Sequence, residues 1–512
     1  MRIEIDIMTQ NVALKLSIPP PAMSALRQHP IIAGAMRLGD VAMLKTVYYD
    51  TPNQRLRARK IEVGIQCDGT TCVQTIVRYI PSSYLLSIRS DWTQPYEAGF
   101  DFSQIDDAEL ARLLTRYAPR LTPVGIVQSR RQSYRYASRA GVSILMTIDQ
   151  DEIEAGGYST TIGEFALVAE TGDGLDLLAL SDELARTVPL IPEDSSKVER
   201  CYRLLDERAV QPMRAKASEI TADQSQLEAC QTLAQACVRQ WQFNTMAATQ
   251  PGGEQQSEFI HQVRVGLRRL RSVLKVFEPV LPSDFTAYWQ GCLRENAGHF
   301  DAARDLDVFQ AELLEPVLHV GLVNQDGFAR LLEKTESARR AAHEATRLGL
   351  DAARQGHLIL EFTSALRRLT ASHAKGDQDL RTFAKRRLSR LRKRGRLRFV
   401  TAEGGQPAQL HQLRIGMKEL RYATEFFAPL FPSKAVGRYL DHLAFAQDSL
   451  GFIQDLEVAR TRIEAWTRDD PSLGTAVGFV LGWHAPRYTE LCRRVLHDCG
   501  PILWGKVPWE GK

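Results

Sequence analysis

The pattern of apolar and polar positions changes character part-way along the chain. Up to Leu205 the two types alternate in short runs, as in Ala13-Leu14-Lys15-Leu16-Ser17-Ile18, Ser143-Ile144-Leu145-Met146-Thr147-Ile148 and Glu164-Phe165-Ala166-Leu167-Val168. A period of two puts successive side chains on opposite faces of a strand, and turn-forming residues such as Thr51-Pro52-Asn53 and Gly156-Gly157 separate the runs. Helical periodicity is confined here to Pro20 to Gln28 and Ala108 to Tyr117. Residues 1–205 therefore predict an α+β domain rich in antiparallel strands. Residues 206–223 are polar and without alternation, which predicts a linker. From residue 224 to 512 the period becomes 3.6, with breaks at Pro251-Gly252-Gly253, Gly404-Gly405-Gln406-Pro407 and Phe431-Pro432-Ser433, which predicts an all-α domain.

Within the helical part the chain repeats itself. His261 to Arg271 reads HQVRVGLRRLR and His411 to Arg421, displaced by 150 positions, reads HQLRIGMKELR. The same displacement carries Ala303-Arg304-Asp305-Leu306-Asp307-Val308 onto Ile453-Gln454-Asp455-Leu456-Glu457-Val458. A duplicated helical unit, with halves near 224–370 and 371–512, explains both, and two such units predict two helical bundles with pseudo-twofold symmetry.

A length of 512 residues exceeds what one hydrophobic core holds and agrees with two or more domains. No run of apolar residues is long enough for a membrane span, and Met1 to Gln10 lacks the apolar region of a signal peptide, so a cytoplasmic location and no membrane partner are expected. The eight cysteines contain no CxxC pair and signal neither a zinc site nor a disulfide framework. The net charge of +4 is uneven: residues 1–210 carry 23 Lys and Arg against 27 Asp and Glu, while the remainder carries 42 against 34. The helical half is basic, which suggests a polyanionic partner.

On a helix, His261, Arg264, Arg268 and Arg271 fall within about 80° of one another, opposite Leu267, Leu270, Val273, Leu274 and Phe277. His411, Arg414, Lys418 and Arg421 repeat this cationic stripe. Like charges at i,i+4 repel, so the stripes call for an anion, and guanidinium forks match phosphate oxygens. The alternative is internal salt bridging with the acidic segments after each copy, or a solvated face. Arg381 to Arg398 adds ten Lys or Arg in eighteen residues with no acid, Lys385 and Arg386 among them. One aromatic, Phe383, offers no base-stacking pattern, so phosphates fit this run better than a nucleic acid does.

His-x-x-Arg-x-x-x-(Arg/Lys)-x-x-Arg, written twice with trailing Asp-Leu-(Asp/Glu)-Val segments and followed by Tyr422-Ala423-Thr424-Glu425-Phe426-Phe427, resembles the CHAD family of conserved histidine α-helical domains. The resemblance implies two pseudo-symmetric four-helix bundles around a basic surface or pore that binds inorganic polyphosphate. Its motif positions fall on His261, Arg264, Arg268, Arg271, His411, Arg414, Lys418 and Arg421, and Arg269 beside the first motif and Lys385 and Arg386 of the basic run are further candidates for phosphate binding. Glu419 replaces Arg269 in the second copy, so the first copy is expected to bind more strongly.

The N-terminal half resembles the CYTH family, through NVALKLSIPPPAMSALRQHP, YYDTPNQRLRARKIEVGIQ, CVQTIV and SSKVERCYRLL. That resemblance implies an antiparallel strand tunnel that hydrolyses triphosphates with Mg²⁺ or Mn²⁺. The family's opening Glu-x-Glu-x-Lys becomes Asn11-Val12-Ala13-Leu14-Lys15, or, in another register, Glu4-Ile5-Asp6-Ile7-Met8. Its basic pair falls on Gly64 and Gln66, a motif lysine on Val77, and later glutamates on Ala166 and Val168. Lys15, Arg131, Asp149, Glu164 and Lys197 remain. Metal needs oxygen ligands and triphosphate needs compensating cations, so the losses predict an inactive tunnel with neither catalytic residues nor a metal site. The expected function is polyphosphate binding by the helical domain, without a cofactor and with polyphosphate granules among its cytoplasmic locations. A metal-dependent triphosphatase with a helical accessory remains the alternative, and it alone would need Mg²⁺ or Mn²⁺.

Overall fold

The computed structural model describes residues 9–80, 85–97, 99–138, 141–169, 174–206, 210–249, 256–319, 325–372 and 379–510. The chain divides into two compact units. One comprises Met1–Pro212, Thr245–Gln250 and Asp351–Ser372; the other comprises Met213–Asn244, Pro251–Leu350 and His373–Lys512.

The first unit is built on strands β1 (Thr9–Ile18), β2 (Met36–Asp50), β3 (Ile61–Cys67), β4 (Cys72–Ile80), β5 (Ser87–Pro95), β6 (Thr122–Ala137), β7 (Ser143–Ala155), β8 (Tyr158–Ala169) and the short β9 (Ile191–Pro192). Their order is β5-β4-β3-β2-β6-β7-β8-β1-β9, and every described pairing is antiparallel. Val12↔Ile88 also joins β1 to β5, so the ladders through the eight long strands lead back to the first. This is the antiparallel strand tunnel that the CYTH resemblance implies.

Alternation decides what faces where. Leu14, Leu16, Ile18, Ile144, Met146, Ile148, Phe165 and Leu167 point outward into one buried cluster. Helices α1 (Met23–Gln28), α2 (Pro30–Ala33) and α4 (Leu175–Ala185) cover it. Ile61, Val63, Ile76 and Trp92 form a second cluster under α3 (Ala108–Tyr117). The intervening residues, Lys15 and Asp149 among them, occupy the other face, where α5 (Lys197–Leu205) contributes its first residue.

Helix α12 (Ala352–Ser372), whose sequence reads as part of the first repeat half, packs in the first unit instead. Leu360 joins the outer core cluster, and a Cβ at Gly356 would lie 1.7 Å from the Leu190 carbonyl oxygen. Only a glycine permits that approach. Cys67 and Cys72 are also paired, as a disulfide across the β3–β4 hairpin. A spacing of five residues contains no recognisable cysteine motif, so the pairing becomes visible only when the hairpin register sets the two residues opposite each other.

The second unit contains α6 (Gln226–Thr249) as far as Asn244, α7 (Gln256–Phe277), α8 (Ser283–Gly298), α9 (Asp301–Val308), α10 (Glu315–Leu318) and α11 (Gln325–Gly349). The second set is α13 (Leu380–Ala402), α14 (Pro407–Phe427), α15 (Ser433–Asp469) and α16 (Gly474–Trp504). The displacement of 150 carries α7 onto α14, the 3-10 turn Glu278–Val280 onto Ala428–Leu430, and the start of α8 onto that of α15. Where α15 runs for 37 residues, the first copy breaks after Gly298 and passes through a π-helical turn at Phe309–Leu314. Phe277, Phe383 and Phe427 pack together with ring centroids 5.4–6.1 Å apart. Among the described residues no helix is long and apolar enough to cross a membrane.

Candidate functional site

The repeated motif lies on α7 and α14. Its apolar side, Val263, Leu267 and Leu270 in one copy and Leu413, Met417 and Leu420 in the other, is fully buried. Its glycines allow close packing: a Cβ at Gly266 would meet the Trp241 backbone nitrogen at 3.2 Å, and one at Gly416 would meet the Arg398 guanidinium at 2.9 Å. With these faces fixed, the cationic stripes have a set direction.

The two stripes converge. Lys418 is pushed down to about 7 by burial and then by the charges of Arg414 and Arg268, with Arg264 adding to them against Asp455. Two of those cations belong to the other copy. Arg414 is likewise held below its ordinary value by burial, with Arg268 contributing. His261 is lowered to about 4 by burial and then by Arg304. Asp305 and Asp455, repeat mates, sit among these cations, and burial raises both carboxyls.

Several buried polar atoms in the cluster are unsatisfied, guanidinium donors among them. Arg268 Nε, Arg414 Nε, His261 Nδ1 and Arg462 Nη1 are buried without a hydrogen-bond partner among the described residues. Buried donors left unpaired cost about 1–3 kcal/mol each. An oxyanion placed among them would satisfy the donors and relieve the repulsion together.

The copies are unequal, and not in the sense that the Glu419 substitution suggests. Arg264 is held by Asp301, with Nε 3.0 Å and Nη2 2.5 Å from the same carboxylate oxygen. Gly451 stands at the equivalent position in the second copy, so Arg414 has no such acid. Arg269 pairs with Glu425 of α14, while Glu419 pairs with Lys275 at 2.6 Å. The mismatch thus belongs to the α7–α14 packing, and the expectation of a stronger first copy loses its basis.

The remaining motif residues are placed as follows. His411 Nδ1 lies 2.5 Å from Gln454 Oε1. Arg271 Nε reaches Gln290 at 3.4 Å, and Arg421 bonds Glu425 at 2.9 Å and Gln447 at 3.1 Å. Lys385 and Arg386 are exposed on α13, beside Arg387, which donates to the Lys275 carbonyl at 2.8 Å. Motif reasoning missed Arg304 and Arg462, because their repeat mates are Gln454 and Glu312 and no duplicated pattern marks them.

In the first unit Arg131, Asp149 and Lys197 neutralise one another, while Lys15 meets a hydroxyl. Arg131 binds Asp149 through two hydrogen bonds, at 2.8 and 2.7 Å. Lys197 reaches Asp149 at 2.6 Å and Asp151 at 2.8 Å. Arg200 lies 3.1 Å from Glu193 and 4.0 Å from Glu164. Lys15 donates to the Tyr79 hydroxyl at 3.2 Å. Burial alone would raise the Asp149 carboxyl, but Arg131 and Lys197 outweigh it and hold that carboxyl below the usual carboxylate range.

Mg²⁺ or Mn²⁺, which the CYTH resemblance implies, needs carboxylate oxygens free to ligate. Asp149, Asp151 and Glu164 face cations instead, and among the described residues no group of three or more His, Cys, Asp or Glu could hold a metal ion. These residues do not fit a metal centre. Glu4 and Asp6, the alternative register of the opening motif, lie outside the described residues.

The doubled helical unit carries the repeated His–Arg stripes on α7 and α14, and the first unit has a CYTH-like antiparallel strand fold. Residues 232–464 match the CHAD domain family and form a CHAD domain. Similar solved structures include the CHAD domain from the plant Ricinus communis, 29% identical, covering 56% of this chain and 97% of that one with a TM-score of 0.47. PptA from Streptomyces chartreusis is 18% identical, covering 55% of this chain and 100% of that one with a TM-score of 0.42. HpAC1 from Hippeastrum, described by a dominant triphosphatase activity, is 16% identical and covers 37% of this chain and 95% of that one with a TM-score of 0.28.

Proposed function

We propose that the protein binds inorganic polyphosphate at the cluster between α7 and α14, and that its strand tunnel is not a hydrolase. The observation that carries this reading is the convergence of Arg264, Arg268, Arg414 and Lys418 from two repeat copies, with buried donors unpaired among them. The acids at the cluster, Asp305, Asp455, Glu312 and the Asp301 already taken up by Arg264, are fewer than the cations Arg264, Arg268, Arg304, Arg414, Lys418 and Arg462, which argues against a self-contained salt-bridge network. A phosphate chain supplies repeated oxyanions along one line, and guanidinium groups can bind them in bidentate fashion.

The inactive tunnel is supported by the pairing of Arg131 and Lys197 with Asp149 and Asp151, which leaves them no charge with which to balance a triphosphate. The test uses the full chain. Long-chain sodium polyphosphate should bind and outcompete single-stranded oligonucleotide, while tripolyphosphate with Mg²⁺ or Mn²⁺ should release no phosphate above background. Metal-dependent release with no binding of the long chain would favour the triphosphatase alternative.

A further inference from the structure

The C-terminal half of α13 presents a surface unlike the phosphate cluster. Leu397 is 65% exposed, Val400 58% and Trp504, at the end of α16, 50%. Leu397 and Val400 line a groove of about 430 Å³ with Lys393 and Arg396. Arg396 lies over the Trp504 ring, 5.8 Å from its centroid, and Phe399 packs edge-on against Trp504, so groove and tryptophan form one patch. Exposed Arg390, Lys393 and Arg394 flank it.

Apolar side chains in water beside a row of cations mark an interaction surface. Polyphosphate has no use for Leu397, Val400 or Trp504. A bilayer takes its apolar groups from a projecting face, whereas here Leu397 and Val400 line a groove suited to a side chain inserted from a partner.

The chain itself places the same chemistry in the groove, whose lining also includes Ser389, Arg392 and Glu510. Trp509 is buried against α13, its indole Nε1 donating to Ser389 Oγ at 3.2 Å, and the next residue, Glu510, lies 3.6 Å from Arg392. An aromatic anchor followed by an acid is thus already accommodated on this helix. We propose that the groove and its basic rim dock an acidic protein segment bearing large apolar anchors, independently of polyphosphate.

The test measures binding of a labelled synthetic peptide, alternating Glu with Leu and Trp, to the full-length protein. Binding should weaken roughly tenfold or more, about 1.4 kcal/mol or more, in Leu397→Ser/Val400→Ser and in Lys393→Glu, with polyphosphate affinity unchanged in the Leu397→Ser/Val400→Ser variant. Because the three side chains are exposed, circular dichroism should confirm that the variants remain folded. Equal binding of a peptide with Ser in place of Leu and Trp would overturn the proposal, since charge alone would then suffice. It would also be overturned if phosphatidylcholine–phosphatidylserine vesicles or an oligonucleotide bound at these residues while the peptide did not.

Discussion

Arg269 of α7 and Glu425 of α14 form an ion pair, and its repeat mate, Lys275 with Glu419, likewise sets a cation of α7 against an anion of α14. Both positions in the first copy are cationic and both in the second are anionic, so a pair of equivalent contacts becomes complementary. Identical charges at these four positions would repel across α7 and α14.

Arg269→Met should therefore destabilise the second unit by roughly 2–3 kcal/mol. That is below the range for a fully buried pair, because Glu425 keeps some solvent contact. Arg269→Met with Glu425→Met should recover most of the loss. Urea unfolding measures both, and polyphosphate affinity should stay within about threefold of wild type because Arg269 is not in the cluster.

The second copy should dominate phosphate binding. Arg414→Ala with Lys418→Ala removes two cations without an acidic hydrogen-bond partner, whereas Arg264→Ala removes one already held by Asp301. We expect a loss of at least about tenfold for the double variant, a smaller loss for Arg264→Ala, and tighter binding for Asp301→Asn. A larger loss from Arg264→Ala than from the double variant would reverse this account.

Binding should weaken as pH rises. Lys418 in the free protein titrates near 7, and an anion beside it raises that value, so the charged form favoured by the ligand is fully present below 7 and lost above it. Affinity should fall by up to about one log unit per pH unit above neutrality until the raised value is reached. Calorimetry would detect the linked proton uptake. Lys418→Arg, charged throughout this range, should flatten the profile.

Gly356→Ala tests the placement of α12. The added methyl meets the Leu190 carbonyl, so the helix must shift, at a cost of about 1–3 kcal/mol. Thermal unfolding should show the loss in the first unit, and an unchanged midpoint would contradict the packing.

Much of this was legible in the residues themselves. Alternation placed β1, β7 and β8, and the 150-residue displacement identified both stripes because a duplicated face stands out against single-copy background. What escaped was set by contacts between elements. Arg304 and Arg462 join the cluster from α9 and α15 without a repeated pattern to mark them. Asp301 neutralises Arg264 only because the chain turns near Phe300, and Cys67 meets Cys72 only through hairpin register. The charge reversal at 269, 275, 419 and 425 could have been read by aligning the copies, but its meaning required seeing α7 beside α14.

The central claim is that cations from both repeats grip one phosphate chain. The most direct measurement is the affinity of the full chain for long-chain polyphosphate across a salt series, for wild type and for Arg268→Ala with Arg414→Ala, which takes one cation from each copy. Counterion release predicts a linear fall of log affinity with log salt, with a shallower slope in the variant. Salt-independent binding, or a variant indistinguishable from wild type in slope and affinity, would contradict it.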